Sequence, residues 1–222
     1  GNDSGWDNAT VFVHGVPLKS PDLAAFLCLQ MQCLAEVAQR LDKPRAARQW
    51  QRRAAASLQK LLARYWRGDS FIAFGPADNV ASEGDSLLLF LPIVLGRQLP
   101  AEIATRLVAG LRDEQRFLAP FGMASESFTS PLYRADSYWR GPGWAPATLL
   151  IVEGLAELGE HFLARAIAQR FCAAVQKSGC AENFDVFTGR GLRDPAHTWT
   201  ASVFLILARD YLGNKTNVDA IV

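Results

Sequence analysis

The sequence predicts an all-α fold built of helical hairpins, with long loops at one end. Apolar residues recur at helical spacing through most of the 222 residues. Short connections alternate with connections of about 15 to 25 residues, which is long for a plain helical bundle. Because antiparallel hairpins return the chain to the same side, the long loops are expected to lie together. Binding and catalysis usually concentrate in such loops.

Seven helices are expected, and proline or glycine marks most of their ends. Pro21 provides a start signal for the first helix, and Pro44 separates it from the second. Gly96 ends the third helix and Gly159 the fifth, since glycine is common just past a helix. The expected helices cover residues 22–41, 45–66, 86–95, 100–114, 146–158, 160–177 and 200–212.

Composition places the chain among ordinary globular proteins with one core. Apolar residues make up 50% and charged residues 20%, and a single domain over residues 1–222 is expected. The formal net charge of +1 argues against a nucleic-acid partner, which requires a strongly basic surface. Residues 43–67 carry several basic and no acidic side chains. They form either a solvated outer helix face or a surface for a membrane or an anionic partner.

Neither the cysteines nor the glycines indicate a cofactor. Cys28, Cys33, Cys172 and Cys180 form no Cys-x-x-Cys pair and no metal-ligand spacing. Free thiols in a reducing compartment are expected, which favours the cytoplasm. The glycines show no phosphate-binding pattern, so we expect no metal, nucleotide or organic cofactor. The apolar run at residues 87–95 is too short to cross a membrane, and no membrane partner is expected.

Two carboxylates stand in loops rich in glycine and aromatic residues. Asp7 lies in Ser4-Gly5-Trp6-Asp7-Asn8, where an indole beside a carboxyl group favours the neutral form that a proton donor requires. Glu182 opens Glu182-Asn183-Phe184-Asp185, which leads into a tight turn at Thr188-Gly189. Together they suggest paired acid and base chemistry on a sugar. Alone, Asp7 could be a turn cap and Glu182 a solvated loop charge.

A third segment sets two tryptophans around a constrained Gly-Pro pair. It reads Tyr138-Trp139-Arg140-Gly141-Pro142-Gly143-Trp144-Ala145-Pro146. Indole faces bind the C–H faces of sugars, and a guanidinium group can hold hydroxyl groups or a carboxylate. The alternative is a loop folded over the core, with Arg140 paired structurally. These residues alone leave both interpretations open.

Taken in their order along the chain, the three segments resemble the inverting glycoside hydrolases with an (α/α)6 barrel. The similarity is to glycoside hydrolase family 63 and the bacterial mannosylglycerate hydrolase-like group, with trehalases as distant kin. Their pattern is Ser-Gly-(Trp or Met)-Asp, then Tyr-Trp-Arg-Gly-Pro-x-Trp-x-Pro, then Glu-x-(Tyr or Phe)-(Asp or Asn) with Thr-Gly. The resemblance covers essentially the whole chain. It implies the C-terminal part of an (α/α)6 toroid, a catalytic domain that is N-terminally incomplete.

The resemblance also implies roles for individual residues. It makes Asp7 the general acid and Glu182 the general base that activates a water. Inversion needs room for that water, so a separation of about 6.5–9.5 Å between the two carboxyl groups is expected. Expected contacts to the substrate are Trp6, Asn8, Glu126, Tyr138, Trp139, Arg140, Trp144, Asp185, His197 and Trp199.

The implied function is inverting hydrolysis of an α-glycosidic bond in an oligosaccharide or glycoside, such as an α-glucoside or a mannosyl or glucosyl conjugate. One alternative is a sugar epimerase or isomerase on a helical toroid, using His14 and His197. Another is a non-catalytic carbohydrate-binding scaffold. The sequence does not indicate an oligomeric state. A partial ring leaves helix faces uncovered, so exposed apolar surface and poor solubility are expected for this chain expressed alone.

Overall fold

The computed structural model describes residues 4–75, 78–79 and 85–213, and its frame is helical. The helices are α1 (Pro21–Arg40), α2 (Pro44–Tyr65), α3 (Ala101–Arg112), α4 (Ala145–Glu157), α5 (His161–Ser178) and α6 (Thr198–Leu207). A 3-10 segment at Leu87–Gln98 precedes α3, and a π turn at Ala208–Leu212 continues α6. Two short antiparallel hairpins pair β1 (Leu118–Ala119) with β2 (Gly122–Met123) and β3 (Asn183–Phe184) with β4 (Gly191–Leu192).

The expected helices are confirmed to within a few residues, except that the third has a different geometry. It is a 3-10 segment over Leu87–Gln98 rather than an α-helix over residues 86–95. Pro92 lies inside it and has no N–H to donate to an α-helical turn. Gly96, with φ 52° and ψ −130°, then breaks the segment before α3 begins.

Helix α4 lies in the middle of the frame, where it packs against the 3-10 segment, α5 and α6. Gly154 permits the close approach to the 3-10 segment, because a Cβ there would lie 2.5 Å from the Ile93 carbonyl oxygen. Ile151 and Leu155 on the same helix are fully buried. The core therefore forms around α4, which carries no charged residue before Glu153.

Helix α1 buries its small residues and exposes its large ones. Ala25, Cys28, Ala35 and Ala38 are buried where α1 meets α2 and the 3-10 segment. The large apolar side chains on the opposite side form what we call the α1 stripe, which consists of Leu23, Leu27, Leu34, Val37 and Leu41. Exposed fractions along the stripe range from 36% to 61%. The expected exposure of apolar helix surface is present.

The long connections lie together, as the alternation of short and long loops predicts. The loop before α1 pairs with the loop after α2 through Lys19 and Phe74. The residue that precedes the 3-10 segment, Ser86, pairs with Glu126 in the loop after β2. Gly143, just before α4, pairs with Phe184 in β3. The frame thus brings loops that are distant in sequence into one assembly, which we call the loop end.

Candidate active site

The first loop is attached to the loop before α4 through Asn8. Its side-chain Nδ2 donates to the carbonyl oxygen of Ser137 at 3.2 Å, and its Oδ1 accepts from the Trp139 N–H at 2.8 Å. Its carbonyl oxygen accepts from Nε of Arg140 at 2.7 Å. Three hydrogen bonds from one residue fix the two loops together, so the neighbouring Asp7 is carried to the same place.

The loop that carries Glu182 is fixed by backbone pairing. Gly143 and Phe184 exchange two backbone hydrogen bonds, of 2.8 and 3.0 Å, and the Glu182 N–H donates to the Asp194 carbonyl oxygen at 2.7 Å. Gly143 has no room for a larger residue, because a Cβ there would lie 2.8 Å from Cγ1 of Val186. The loop that carries Glu182 is thereby joined to the segment 138–146.

The side chain of Tyr138 interacts with both carboxylates that the sequence predicts to be catalytic, in different ways. Its hydroxyl group donates to Oε1 of Glu182 at 2.8 Å. Burial, this hydrogen bond and the negative charges of Glu182 and Asp7 raise the pKa of Tyr138 to about 12. Glu182 is therefore in direct contact with the phenol, whereas Asp7 acts on it only through its charge. All three side chains are partly exposed, so a ligand can reach them.

The tryptophans of these loops form a buried stack. Trp139 and Trp144 lie parallel with ring centroids 4.0 Å apart, and Trp6 packs on Trp139 at 4.4 Å. The exposed fractions of Trp139, Trp144 and Trp6 are 3%, 1% and 5%. The packing is that of a loop folded over the core, and the substrate contacts expected of these three residues stay predictions.

Glu126 is fully buried and holds loops together through hydrogen bonds. Its Oε2 accepts from the Thr10 hydroxyl at 2.7 Å. Its Oε1 accepts from the Asp85 N–H at 2.9 Å and from the Ser130 hydroxyl. Burial raises the pKa of Glu126, and these hydrogen bonds oppose the rise. These contacts are structural, and the substrate contact expected of Glu126 stays a prediction.

Asp185 and Arg140 stabilise the loops in which they lie. Oδ1 of Asp185 accepts from the N–H groups of Phe187 and Thr188 at 2.9 and 3.1 Å, which closes the turn after β3. Gly189 in this turn has a φ of 69°, the left-handed conformation that the Thr-Gly pair predicts. Arg140 is partly buried and donates to the first loop. The substrate contacts expected of both residues stay predictions.

His197 and Trp199 lie to the side of the group around Tyr138. Their rings stack with centroids 4.5 Å apart, and they line an open apolar groove of about 670 Å³ between α4 and α6. The edge of Trp199 meets Trp144 with centroids 5.7 Å apart. Neither Asp7 nor Glu182 lines this groove. Any substrate role for His197 and Trp199 remains a prediction.

An ion pair that the sequence reasoning missed lies beside the carboxylates. Nη1 of Arg193 is 2.7 Å from Oδ1 of Asp136, and its Nη2 donates to the Asp136 carbonyl oxygen at 3.1 Å. The positive charge of Arg193 acts on Tyr138 against the effect of the two carboxylates. Arg193 has a φ of 64°, which is unusual outside glycine. The sequence contains one indication of this ion pair, because Arg193 lies in the same loop as Glu182.

Other features of the described residues do not indicate a different functional site. Among the described residues, no group of three or more His, Cys, Asp or Glu side chains is arranged to hold a metal ion. No helix in the described part of the chain combines the length and the hydropathy needed to span a membrane. A cavity of about 570 Å³ lies between α3 and the 3-10 segment, but neither Asp7 nor Glu182 lines it. Loop convergence, and not cavity size, locates the candidate site.

The fold and the site together define a class of protein. A frame of helical hairpins holds long loops, and two of them bring a partly exposed carboxylate each to one phenol. A pair of carboxylates held on neighbouring loops is typical of a glycoside hydrolase, in which one acts as acid and the other as base or nucleophile.

Comparison with known proteins agrees with that class. Residues 2–200 match the family model described as the mannosylglycerate hydrolase MGH1-like glycoside hydrolase domain, and the chain belongs to this family. A mannosylglycerate hydrolase of Thermus thermophilus is 29% identical over 122 residues, which are 54% of this chain and 28% of that protein. Membership of this family favours a hydrolase over the isomerase and binding-scaffold alternatives.

Solved structures show the same fold. A GH63 mannosylglycerate hydrolase from Thermus thermophilus, in complex with glucose, matches 85% of this chain and 45% of its own, with a TM-score of 0.73 and 22% identity. Neutral trehalase Nth1 from Saccharomyces cerevisiae matches 89% of this chain and 38% of its own, with a TM-score of 0.70 and 19% identity. The fold is therefore part of an (α/α)6 toroid. The chain spans less than half the length of these relatives.

Proposed function

We propose that this chain carries the acid and the base of an inverting glycoside hydrolase that cleaves an α-glycosidic bond. Asp7 protonates the glycosidic oxygen, and Glu182 removes a proton from a water that attacks the opposite face of the sugar ring. The proton balance is closed, because the base ends protonated and the acid ends ionised. Exchange of a proton with solvent restores both groups for the next turnover.

One observation carries this proposal, namely that one phenol interacts with both carboxylates. Tyr138 donates a hydrogen bond to Glu182, and the charge of Asp7 acts on the same phenol, although Asp7 and Glu182 lie in widely separated segments of the sequence. Asn8 and Gly143 supply the connections that keep those segments in place. The inverting reaction further requires a carboxyl separation of about 6.5–9.5 Å, so that a water fits beside the sugar.

The proposed substrate is an α-glucoside or a mannosyl or glucosyl conjugate. Support comes from the family, whose description names mannosylglycerate hydrolase, and from a structural relative described with bound glucose. The partly exposed Arg193 and Arg140 lie in the two loops that also contain Glu182 and Tyr138. Their guanidinium groups carry positive charge near the acid and base, which suits an anionic or hydroxyl-rich leaving group.

The test measures turnover of mannosylglycerate, trehalose and an aryl α-glucoside, followed by proton NMR. An inverting enzyme releases the β-anomer first from an α-linked substrate. Loss of acid or base function in Asp7→Asn and Glu182→Gln is expected to lower kcat by about 10²- to 10⁴-fold. Glu102→Gln, an exposed acid at the start of α3, serves as the matched control.

Three outcomes contradict the proposal in different ways. First release of the attacked sugar as its α-anomer, from an α-linked substrate whose leaving group has no anomeric centre, would assign a retaining mechanism; trehalose releases an α-anomer by either mechanism. Near-full turnover by Asp7→Asn or Glu182→Gln would remove that residue from the reaction. Sugar binding without turnover by the unaltered chain, unaffected by Glu182→Gln, would leave a carbohydrate-binding scaffold.

A further inference from the structure

The backbone of Tyr138 adopts a conformation that side chains other than glycine rarely take. Its φ is 55°, in the left-handed region. Such conformations persist only where the surroundings impose them, and they concentrate at functional sites. Here Nε1 of Trp144 donates to the Tyr138 carbonyl oxygen at 3.0 Å, and the two rings meet edge to face with centroids 4.7 Å apart. The buried tryptophan stack therefore aims the phenol.

A phenol O–H can donate one hydrogen bond, and the O–H of Tyr138 donates its hydrogen bond to Glu182. The charged groups that act on this hydroxyl are Glu182, Asp7 and Arg193. A pKa of about 12 keeps the phenol protonated at every pH at which a glycosidase works. Tyr138 is thus a permanent donor, directed at only one of two nearby carboxylates.

This asymmetry answers a chemical requirement of the proposed reaction. An acid and a base in one pocket need opposite protonation states at the same pH. A hydrogen bond donated to a carboxylate favours its ionised form, whereas a carboxyl group without such a donor is protonated more easily. A donor given to one carboxylate only therefore separates the two roles.

We propose that Tyr138 is the positioning residue that makes Glu182 the base: its hydroxyl holds and orients one oxygen of the carboxylate and leaves the other oxygen to accept the proton of the attacking water. This inference rests on the proposed hydrolytic function. It differs from the substrate contact that the sequence predicts for Tyr138, because the partner of the hydroxyl is a side chain of the protein.

The test substitutes Tyr138→Phe, which removes one oxygen atom and keeps the ring packed on Trp144. We expect kcat to fall by about 10- to 100-fold, as for a lost hydrogen bond to a charged group, with KM within about threefold of the original. Since the ionised base loses its donor, the acidic limb of the kcat/KM profile moves to higher pH.

Tyr133→Phe provides the matched control. Tyr133 lies in the same loop, and its buried hydroxyl makes no hydrogen bond within the described part of the chain. Removal of that hydroxyl is expected to leave kcat, KM and the pH profile unchanged. A similar fall in kcat in both variants would indicate general loosening of the loop and would overturn the assignment.

Two kinetic results for Tyr138→Phe contradict the inference while leaving the proposed function intact. A raised KM with unchanged kcat would make Tyr138 a substrate contact. An unchanged pH profile would show that its hydroxyl does not control the base.

A second measurement needs no turnover and so separates this inference from the proposed function. Carboxyl ¹³C NMR titration of glutamate-labelled protein, with Glu182→Gln used to assign the resonance, reports Glu182 directly. The inference predicts that the titration midpoint of this resonance moves to higher pH in Tyr138→Phe and is unchanged in Tyr133→Phe. An unmoved midpoint in Tyr138→Phe overturns the inference even if no substrate is cleaved.

Discussion

The α1–α2 hairpin and the loop end bury opposite kinds of side chain. Where α1 meets its neighbours, the buried residues are small, such as Ala35 and Ala38, and the leucines of the α1 stripe face outward. At the loop end, the buried residues include three tryptophans and the carboxylate of Glu126. The hairpin is held by close approach of helix backbones, whereas the loop end is held by aromatic stacking and directed hydrogen bonds.

The two regions are therefore sensitive to different kinds of substitution. Non-directional packing between helices tolerates changes on the outer face and resists added volume inside. A hydrogen-bonded loop assembly fails instead when one partner is removed, because the buried groups left behind find no water. The largest effects are therefore expected at the loop end, in single polar contacts.

The largest effect on stability is expected for Glu126→Ala. Removal of this carboxylate leaves the Thr10 and Ser130 hydroxyls and the Asp85 N–H without their acceptor in a buried place. The free energy of unfolding should fall by about 3–5 kcal/mol. Chemical denaturation measures it.

Glu126→Gln is the matched control for that prediction. The amide oxygen can accept from the Asp85 N–H, and the Thr10 hydroxyl can turn to accept from the amide nitrogen. A loss clearly smaller than for Glu126→Ala is therefore expected. Equal losses would mean that the three hydrogen bonds do not hold the loop end together.

An intermediate effect is expected for Gly141→Ala. A Cβ at this position would lie 2.1 Å from the carbonyl oxygen of Arg134, which is backbone and has to move. Overpacking of this kind costs about 1–3 kcal/mol, and it would displace the turn that carries Tyr138. Both the free energy of unfolding and kcat should therefore decrease.

Gly159→Ala, in the tight turn between α4 and α5, separates the two causes. No atom lies within 4 Å of a Cβ at Gly159, but its φ of 86° is unfavourable for alanine. This variant should lose about 1 kcal/mol of stability and keep its kcat. A lower kcat in Gly159→Ala would show that the loop end is not the only region that controls the site.

The smallest effect is expected on the α1 stripe. Leu34→Gln changes a side chain that is 36% exposed, so the free energy of unfolding should change by no more than about 0.5 kcal/mol. Self-association at high protein concentration, measured by sedimentation velocity, should decrease because an exposed apolar patch becomes smaller.

The adjacent Ala35→Gln supplies the contrast within the same helix turn. Ala35 is only 3% exposed, so a longer polar side chain has no room and should cost several times more than Leu34→Gln. If both substitutions cost the same, the assignment of inner and outer faces of α1 would be wrong.

Much of the frame could be predicted from the sequence, because helix ends are local events. Pro44 and Gly159 act through their own backbones, and both helix ends were confirmed within a few residues. The orientation of α1 was harder to predict from the sequence. A periodic run of leucines predicts a helix, but it does not say that alanines occupy the closer contact.

The candidate site, too, could be predicted only in part from the sequence. The order of the three segments suggested Asp7 and Glu182, which the structure relates through a hydrogen bond of Tyr138 to Glu182 and the charge of Asp7 on the same phenol. The structural contacts of Trp144 and Glu126 were not predicted, since aromatic and acidic residues in loops serve both ligands and scaffolds. Only burial separates these uses, and burial depends on partners far away in sequence.

The helical frame, the sites of its breaks and the residue types available for acid and base chemistry are specified locally in the amino-acid sequence. They follow from backbone restriction at proline and glycine and from side-chain chemistry, which are local properties. Packing in three dimensions is what sets which loops meet, which aromatic rings cover one another and which carboxylate accepts the hydrogen bond of Tyr138. Those outcomes depend on contacts between distant segments, and such contacts exist only after the helices have packed.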